Sequence, residues 1–442
     1  MGKIWEKHSK VSMNKEVENF LSADDIIYDE QLAVFDIYGS LGHLAGLFDL
    51  GIVNKVEYKK IKIGLIKILD EVMEDGINIS VADEDIHTAI ENKLKDDVGS
   101  PADKLHTSRS RNDQVSVDIK LFSKKELLEI MSKVLDLASS FLKYANQHKS
   151  VAMPGYTHMQ PAMVSSVGLW SSSFTASLLD DFTLLQSAFE LNNQSPLGSA
   201  AGYGALLPIS KELVAKLLGF SKIQENYLYC QNSRGKVELA IVHALQQVIL
   251  TINKFSNDLL TFTMSEFGYF YLPDNFLTGS SIMVQKKNYD VVELLRSKYA
   301  AVSSDYFHLN SLISNLPSGY NRDFQEIKKP LFSSFDIATK TITITNKVIS
   351  NLMVHKDKLK LSIKPDLLVT NEVYKEVEKG VPFKQAYKLI GNKYQQGKLP
   401  TNPEYNLPSF SYDFFKNKID ANEKIVNEKK TGFNKCLSKL TV

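Results

Sequence analysis

Cysteine is nearly absent: Cys230 and Cys436 are the only two in 442 residues. That argues against a disulfide framework or a cysteine-built zinc site and fits a reducing compartment, so a cytoplasmic location is expected. Charge of one sign is equally lacking. The 52 Lys and Arg residues nearly balance 51 Asp and Glu, for a formal net charge of +1. Spread along the chain, they leave no electrostatic footprint for nucleic acid or an acidic membrane surface. No uninterrupted apolar run approaches the roughly 20 residues of a membrane span. The opening Met1-Gly2-Lys3-Ile4-Trp5-Glu6 has no signal-peptide core and places Glu6 where a myristoylation site wants Ser or Thr. What remains is a protein with the 43% hydrophobic content of an ordinary globular chain, too long for one compact core, and a small molecule as the expected partner.

Proline is missing from four long stretches, between Pro101 and Pro154, Pro208 and Pro273, Pro273 and Pro317, and Pro330 and Pro365. Each is long enough for a long helix. From Val115 to His148 apolar residues such as Ile119, Phe122, Ile130, Val134 and Phe141 recur at three- and four-residue steps, and the pattern returns from about Val237 to Glu266 and from about Val291 to Leu316. Three such helices predict a bundle. Thr341-Ile342-Thr343-Ile344-Thr345 alternates like a strand, but the helical spacing of Phe335, Ala338, Ile342, Ile349 and Met353 favours helix. The shorter periodic segments at either end predict an N-terminal helical domain over 1–109 and a C-terminal one over 361–442, around a central bundle over 110–360.

Chemistry-bearing residues collect in a few segments. The run from Gly279 to Asn288 sets Ser280, Ser281, Lys286, Lys287 and Asn288 behind a glycine, a composition suited to holding an anion beside a serine. Lys104 to Gln114 is polar apart from Leu105 and precedes a long helix, so Asn112 or Asp113 is expected to cap it, while Arg111 has the forked geometry to read a carboxylate. Ala152 to Pro161 places His158 between turn residues and an expected helix start, with Pro161 early in the helix. Asp83, His87 and Glu91 stand at i,i+4 steps, but two helical ligands without a third do not make a metal site. Ser195 to Gly204 is a glycine-rich turn that matches no phosphate loop and suggests close approach to a helix or a ligand. Pro317 to Lys328 crowds Tyr320, Asn321, Gln325 and Lys328 after a long helix.

Taken in order, these segments resemble the argininosuccinate lyase family of the fumarase/aspartase superfamily, from near the N-terminus to at least Lys328. The Gly279 run is similar to the superfamily loop Gly-Ser-Ser-x-Met-Pro-x-Lys-x-Asn-Pro. Asp83-Glu84-Asp85-Ile86-His87-Thr88-Ala89, Ser108-Arg109-Ser110-Arg111-Asn112-Asp113-Gln114 and Gly155-Tyr156-Thr157-His158 resemble elements particular to that branch. The last 80 or so residues carry no such motif.

The resemblance implies an all-α, fumarase/aspartase-like fold and a homotetramer whose active sites each take residues from three subunits. It implies reversible cleavage of argininosuccinate to arginine and fumarate, with no metal or organic cofactor. By the same resemblance Ser280 and His158 are the base and acid, in an order the sequence does not fix. Lys286 stabilises the developing charge, and Glu293 orients His158. Ser110, Arg111, Asn112, Thr157, Ser281 and Asn288 bind the succinyl part, and Tyr320, Gln325 and Lys328 hold the arginine part. Asp83, His87 and Arg234 are further substrate-side residues by their place in the matched segments.

The chain departs from the family in three places. Val284 and Tyr289 stand where prolines are usual, which implies a more mobile loop. Asp25-Ile26-Ile27-Tyr28-Asp29 stands where relatives carry a substrate-binding Ser before Ala-Tyr-Asp, and Asn232-Ser233-Arg234-Gly235-Lys236 differs from Ser-Asp/Glu-Arg-Asp. Two alternatives follow: another superfamily lyase, such as one acting on adenylosuccinate, or a silent structural tetramer like the lens crystallins derived from this enzyme.

Overall fold

The computed structural model describes residues 14–80, 83–399 and 405–442; the opening hexapeptide lies outside them. Helices α1 (Lys15–Asp29), α2 (Ala33–Asp49), α3 (Lys55–Asp75) and α4 (Ile86–Val98) form the N-terminal group. Their starts are written in the sequence. Asn54 and Glu57 close a capping box on α3, and Asp85 accepts the Thr88 N–H at the head of α4.

The long helices follow: α5 (Arg111–Gln147), α6 (Val167–Asn192) and, after the short α7 (Lys211–Leu217) and α8 (Tyr227–Asn232), α9 (Lys236–Thr263), α10 (Asp290–Ile313) and α11 (Lys328–Asn351). Here α5 packs on α6 and α11, while α9 packs on α6, α10 and α11, so five helices share one core. The three expected helices are present, and the 341–345 stretch is helical. In α11 the hydroxyls of Thr341, Thr343 and Thr345 donate to the carbonyls four residues back, at 2.6 to 2.7 Å. Those bonds satisfy the polar end of each β-branched side chain inside the helix. The stretch 227–263, spanning α8 and α9, is the one segment among the described residues long and apolar enough to cross a membrane, but its Ile241, Val242, Leu245, Val248 and Ile252 are buried in the bundle.

Strands are few and short. β1 (Ala152–Thr157) and β2 (Gln160–Ser166) form an antiparallel hairpin; β3 (Gln194–Ser195) pairs in parallel with β4 (Lys222–Ile223); β5 (Phe270–Tyr271) pairs with β8 (Met353–Val354), and β6 (Thr278–Gly279) with β7 (Lys287–Asn288). The hairpin corrects the helix start expected at Pro161. That proline pairs with Tyr156 in the strand ladder, and α6 begins only after Ser166, whose hydroxyl accepts the Leu169 N–H. His158 and Met159 form the turn with φ of 52° and 61°, the two successive positive angles that fit the twist of a tight hairpin.

After α12 (Lys356–Ser362), helices α13 (Val369–Glu378) and α14 (Phe383–Gln395) pack on each other around Val373, Ala386 and Ile390, a small core of their own. The last helix, α15 (Tyr412–Thr441), instead returns to the bundle and lies along α5. Its buried residues Ile419, Val426, Phe433 and Leu440 belong to the main core and fall every seventh residue, the narrow seam of a coiled-coil contact. The stretch 361–442, expected as one domain, thus contributes to two cores.

Candidate active site

One polar cleft of about 300 Å³ opens where the N-terminal ends of α5, α9 and α11 meet α1 and α4. The sequence-predicted His87, Arg111, Asn112, Arg234, Tyr320, Gln325 and Lys328 all line it. So do Asp25, Asp29, Glu84, Asp85 and Arg322, which sequence reasoning did not assign to the site. Acids in a helix or at its cap read as ordinary solvated residues, and only the Asp25–Asp29 departure from the family pattern drew notice to two of them. Asp83, predicted among the substrate residues, is not in the cleft. Its carboxylate accepts from the Ser80 hydroxyl at 2.6 Å and from Asn92 at 3.1 Å, closing the turn before α4.

The cleft holds its cations in place with acids. Lys328 is buried and bridges Asp25, at 2.7 Å, and Asp29. Burial works against its charge, yet the two carboxylates outweigh it and raise the Lys328 pKa. Two acids on one ammonium leave a surplus negative charge, and burial pushes Asp25 up to about 6. Arg111 lies 3.2 Å from Glu84 and 3.1 Å from Asp85 and donates to the Thr88 hydroxyl at 2.7 Å. Arg234 is buried under the rings of Tyr320 and Phe324, 5.5 and 5.0 Å from their centroids, and its Nη1 has no partner among the described residues. Gly235 beside it has φ of 77°, and a Cβ there would stand 2.2 Å from Ile313 Cγ2. The glycine lets α9 start against the end of α10, which accounts for its presence where relatives carry an acid.

The head of α5 is built differently from expectation. Ser110 is the N-cap, accepting the Asn112 N–H at 3.3 Å, and Asp113 returns a bond from the Ser110 N–H at 3.0 Å. The hydroxyl proton of Ser110 stays available to an acceptor. Asp113 also accepts the N–H groups of Gly198 and Ala200 at 3.3 and 2.8 Å, so the glycine-rich turn serves to seat a loop on α5. Beneath the cleft, His87 Nδ1 is hydrogen-bonded to the buried Asp36.

The remaining predicted residues lie elsewhere. α5 has 37 residues and α9 has 28, lengths of about 55 and about 42 Å at 1.5 Å per residue. Both start at the cleft; the hairpin follows the far end of α5 and the Gly279–Asn288 loop the far end of α9. Thr157 and His158 are exposed on the hairpin, whose Tyr156 hydroxyl bonds that of Tyr269 at 2.8 Å. Ser280 sits at the start of the loop turn, and its Oγ accepts the N–H groups of Ile282 and Met283 at 3.3 and 3.0 Å. Ser281 and Lys286 are exposed, Asn288 donates to the Gly279 carbonyl at 3.3 Å, and Glu293 is exposed in the first turn of α10. A single chain therefore gathers the predicted Arg111, Asn112, Tyr320, Gln325 and Lys328 in one cleft and keeps them about a helix length from Ser280 and His158.

Comparison with known proteins gives the family and the fold. Residues 7–303 match the family model described as Lyase. An argininosuccinate lyase from Thermotoga neapolitana is 39% identical over 396 residues, covering 90% of this chain and 99% of that one. One from Phocaeicola vulgatus is 37% identical, with 90% and 89% covered. Among solved structures, a variant of EDDS lyase with bound fumarate superposes with a TM-score of 0.76 at 18% identity over 98% of this chain and 94% of that one. A class II fumarase from Schistosoma mansoni gives 0.71 at 17%, over 83% and 85%; these two speak for the all-α fold alone. With relatives of such identity along nearly its whole length, the chain belongs to the argininosuccinate lyase family.

Proposed function

We propose that this protein cleaves argininosuccinate reversibly to arginine and fumarate, at sites assembled from three subunits of a homotetramer. The observation that carries the chemistry is the pair of backbone N–H groups on Ser280 Oγ. A serine hydroxyl is a poor base, and two N–H dipoles together with the ammonium of Lys286, six residues along the same loop, favour its alkoxide. Ser280 takes the proton from the succinyl carbon next to a carboxylate, and the electron pair passes into that carboxylate as a dianion. The carbon–nitrogen bond then breaks, its electrons leave with the guanidine nitrogen, and His158 supplies the proton that nitrogen needs. Thr157, Ser281 and Asn288, with Asn112 and Ser110 from the cleft, hold the succinyl carboxylates; Glu293 orients His158. Tyr320, Gln325 and Lys328 hold the arginine portion, with His87 and Arg234 around them, and Arg111 reads a succinyl carboxylate.

The separations within one chain support this division of labour. The serine loop, the histidine hairpin and the cleft each carry part of the machinery, and the helices between them set them far apart within one chain. On those helices Leu250, Leu294 and Phe307 are exposed, at 39%, 60% and 70%, an apolar surface suited to burial against other subunits.

The test is fumarate absorbance with purified protein offered argininosuccinate and adenylosuccinate in parallel. Cleavage of argininosuccinate alone supports the reading. Cleavage of adenylosuccinate redirects it to another lyase, and a folded tetramer that cleaves neither points to a structural role.

A further inference from the structure

Below the cleft, Asp36 on α2, His87 on α4 and Asp118 on α5 meet with side chains 0%, 4% and 0% exposed. One ligand atom from each lies within 4.8 Å of the others. Asp36 Oδ2 is well served, by His87 Nδ1 and by Gln114 Nε2 at 2.8 Å. The other three carboxylate oxygens, Asp36 Oδ1 and both of Asp118, receive no donor from any described residue. Two ionised carboxylates side by side in a dry core, with three oxygens unbonded, is an arrangement that burial strongly disfavours. A single proton resolves it, because an O–H on Asp118 directed at Asp36 removes one charge and satisfies an oxygen on each residue.

We propose that Asp118 is held as the neutral acid, hydrogen-bonded to Asp36, and that this one-proton carboxyl pair fixes His87 as an imidazolium whose other ring nitrogen, Nε2, serves the cleft as a permanent N–H donor. Asp118 and Asp36 are then positioning residues acting through His87. The surrounding charges fit. Asp29 on α1 and Asp85 at the head of α4 face His87, while Arg109 lies beside both Asp36 and Asp118 and is bonded to Glu91 at 3.3 Å. With Asp118 neutral, Arg109 and His87 are matched one for one by Glu91 and Asp36. Burial raises Asp118 well above the usual carboxylate range, with Asp36 adding to it. Burial opposes the His87 charge, but Asp36 outweighs it and raises that pKa. The same three side chains have the composition of a divalent-cation site, but His87 Nδ1 already points its hydrogen at Asp36 and Arg109 supplies positive charge nearby. That Nε2 meets a substrate carboxylate rests on the proposed function; the protonation state does not.

The test combines infrared spectroscopy with kinetics on the full-length tetramer at pH 8, where an ordinary aspartate is ionised. Un-ionised carboxylic acid C=O absorption is expected in the wild-type protein, shifted by carbon-13 labelling of aspartate and missing from Asp118→Asn. Because Asn mimics a neutral acid, Asp118→Asn is expected to keep kcat/KM within about threefold and leave its pH profile in place. Asp36→Asn should lower kcat/KM by about tenfold or more and bring a new limb near the ordinary histidine pKa of about 6.5. Absence of the acid band in labelled wild-type protein overturns the proposal even if Asp118→Asn fails to fold. So does a stoichiometric divalent metal that Asp118→Asn loses, or a kinetic defect in Asp118→Asn as deep as in Asp36→Asn. Should the wild-type protein cleave no argininosuccinate, the infrared result still decides the protonation state.

Discussion

Ser280 is the residue on which the proposed chemistry turns, and its substitution separates catalysis from architecture. Its hydroxyl is partly exposed on a loop and supports no packing, so Ser280→Ala is expected to leave the fold and its melting temperature unchanged while lowering kcat by about 10²-fold or more. Fumarate release read beside thermal unfolding checks both halves. Asp25 offers a test of the cleft's charge balance. Its pKa in the folded protein, about 6, lies above the ordinary 3.8 because of burial. The native state therefore holds a proton that the unfolded chain releases between pH 4 and 6. The stability this contributes is fully present below about 4 and is lost as pH rises through 6. Asp25→Asn fixes the neutral form and leaves Lys328 with Asp29. It should match wild type near pH 4 and exceed it at pH 8 by ~1–3 kcal/mol in denaturant unfolding. Lower stability at pH 8 would show that the Lys328 pair outweighs the burial of Asp25. At this scale the lining of the cleft was readable wherever a side chain is unusual in type or order, as with Arg111, Tyr320, Gln325 and Lys328. Glu84 and Asp85 escaped because a carboxylate at a helix head has an ordinary use, and nothing local says that it faces a cation across a cleft.

Elements were legible where one periodicity runs long. The proline-free stretches gave α5, α9 and α10 nearly to their ends, and the threonine-rich part of α11 could be read as helix through its flanks. The hairpin at 152–166 was missed because Pro161 suits the start of a helix, whereas the deciding feature is the pair of positive φ angles at His158 and Met159, which neither residue type announces. The docking of α15 was missed for a related reason: one apolar residue in seven is a faint signal beside the Gly, Pro and Asn that precede it. The β6–β7 loop carries its own prediction. Val284 is fully exposed and occupies a position where the family has proline, so Val284→Pro removes backbone freedom without disturbing a contact. Limited proteolysis should then cut between Gly279 and Asn288 more slowly than in wild type. An unchanged rate would mean that the β6–β7 pairing already restrains the loop.

For the whole molecule, the long helices that make the core also separate the parts of the proposed site. Such separation is invisible in sequence order and follows only from helix length, because about 55 Å of α5 stands between Arg111 and the hairpin. Under the proposed function, association is then a requirement of the chemistry, and the exposed Leu250, Leu294 and Phe307 offer apolar surface for it. The most direct measurement is complementation. Ser280→Ala and Arg111→Ala, each inactive alone, are mixed, dissociated and reassembled, and argininosuccinate cleavage is followed by fumarate absorbance. If the serine and the arginine of one site come from different subunits, some mixed sites carry both wild-type residues, and activity should return to about a quarter of the wild-type value by random assortment. A reassembled mixture as inactive as its parents would contradict the shared site, and with it the account of how this chain performs its reaction.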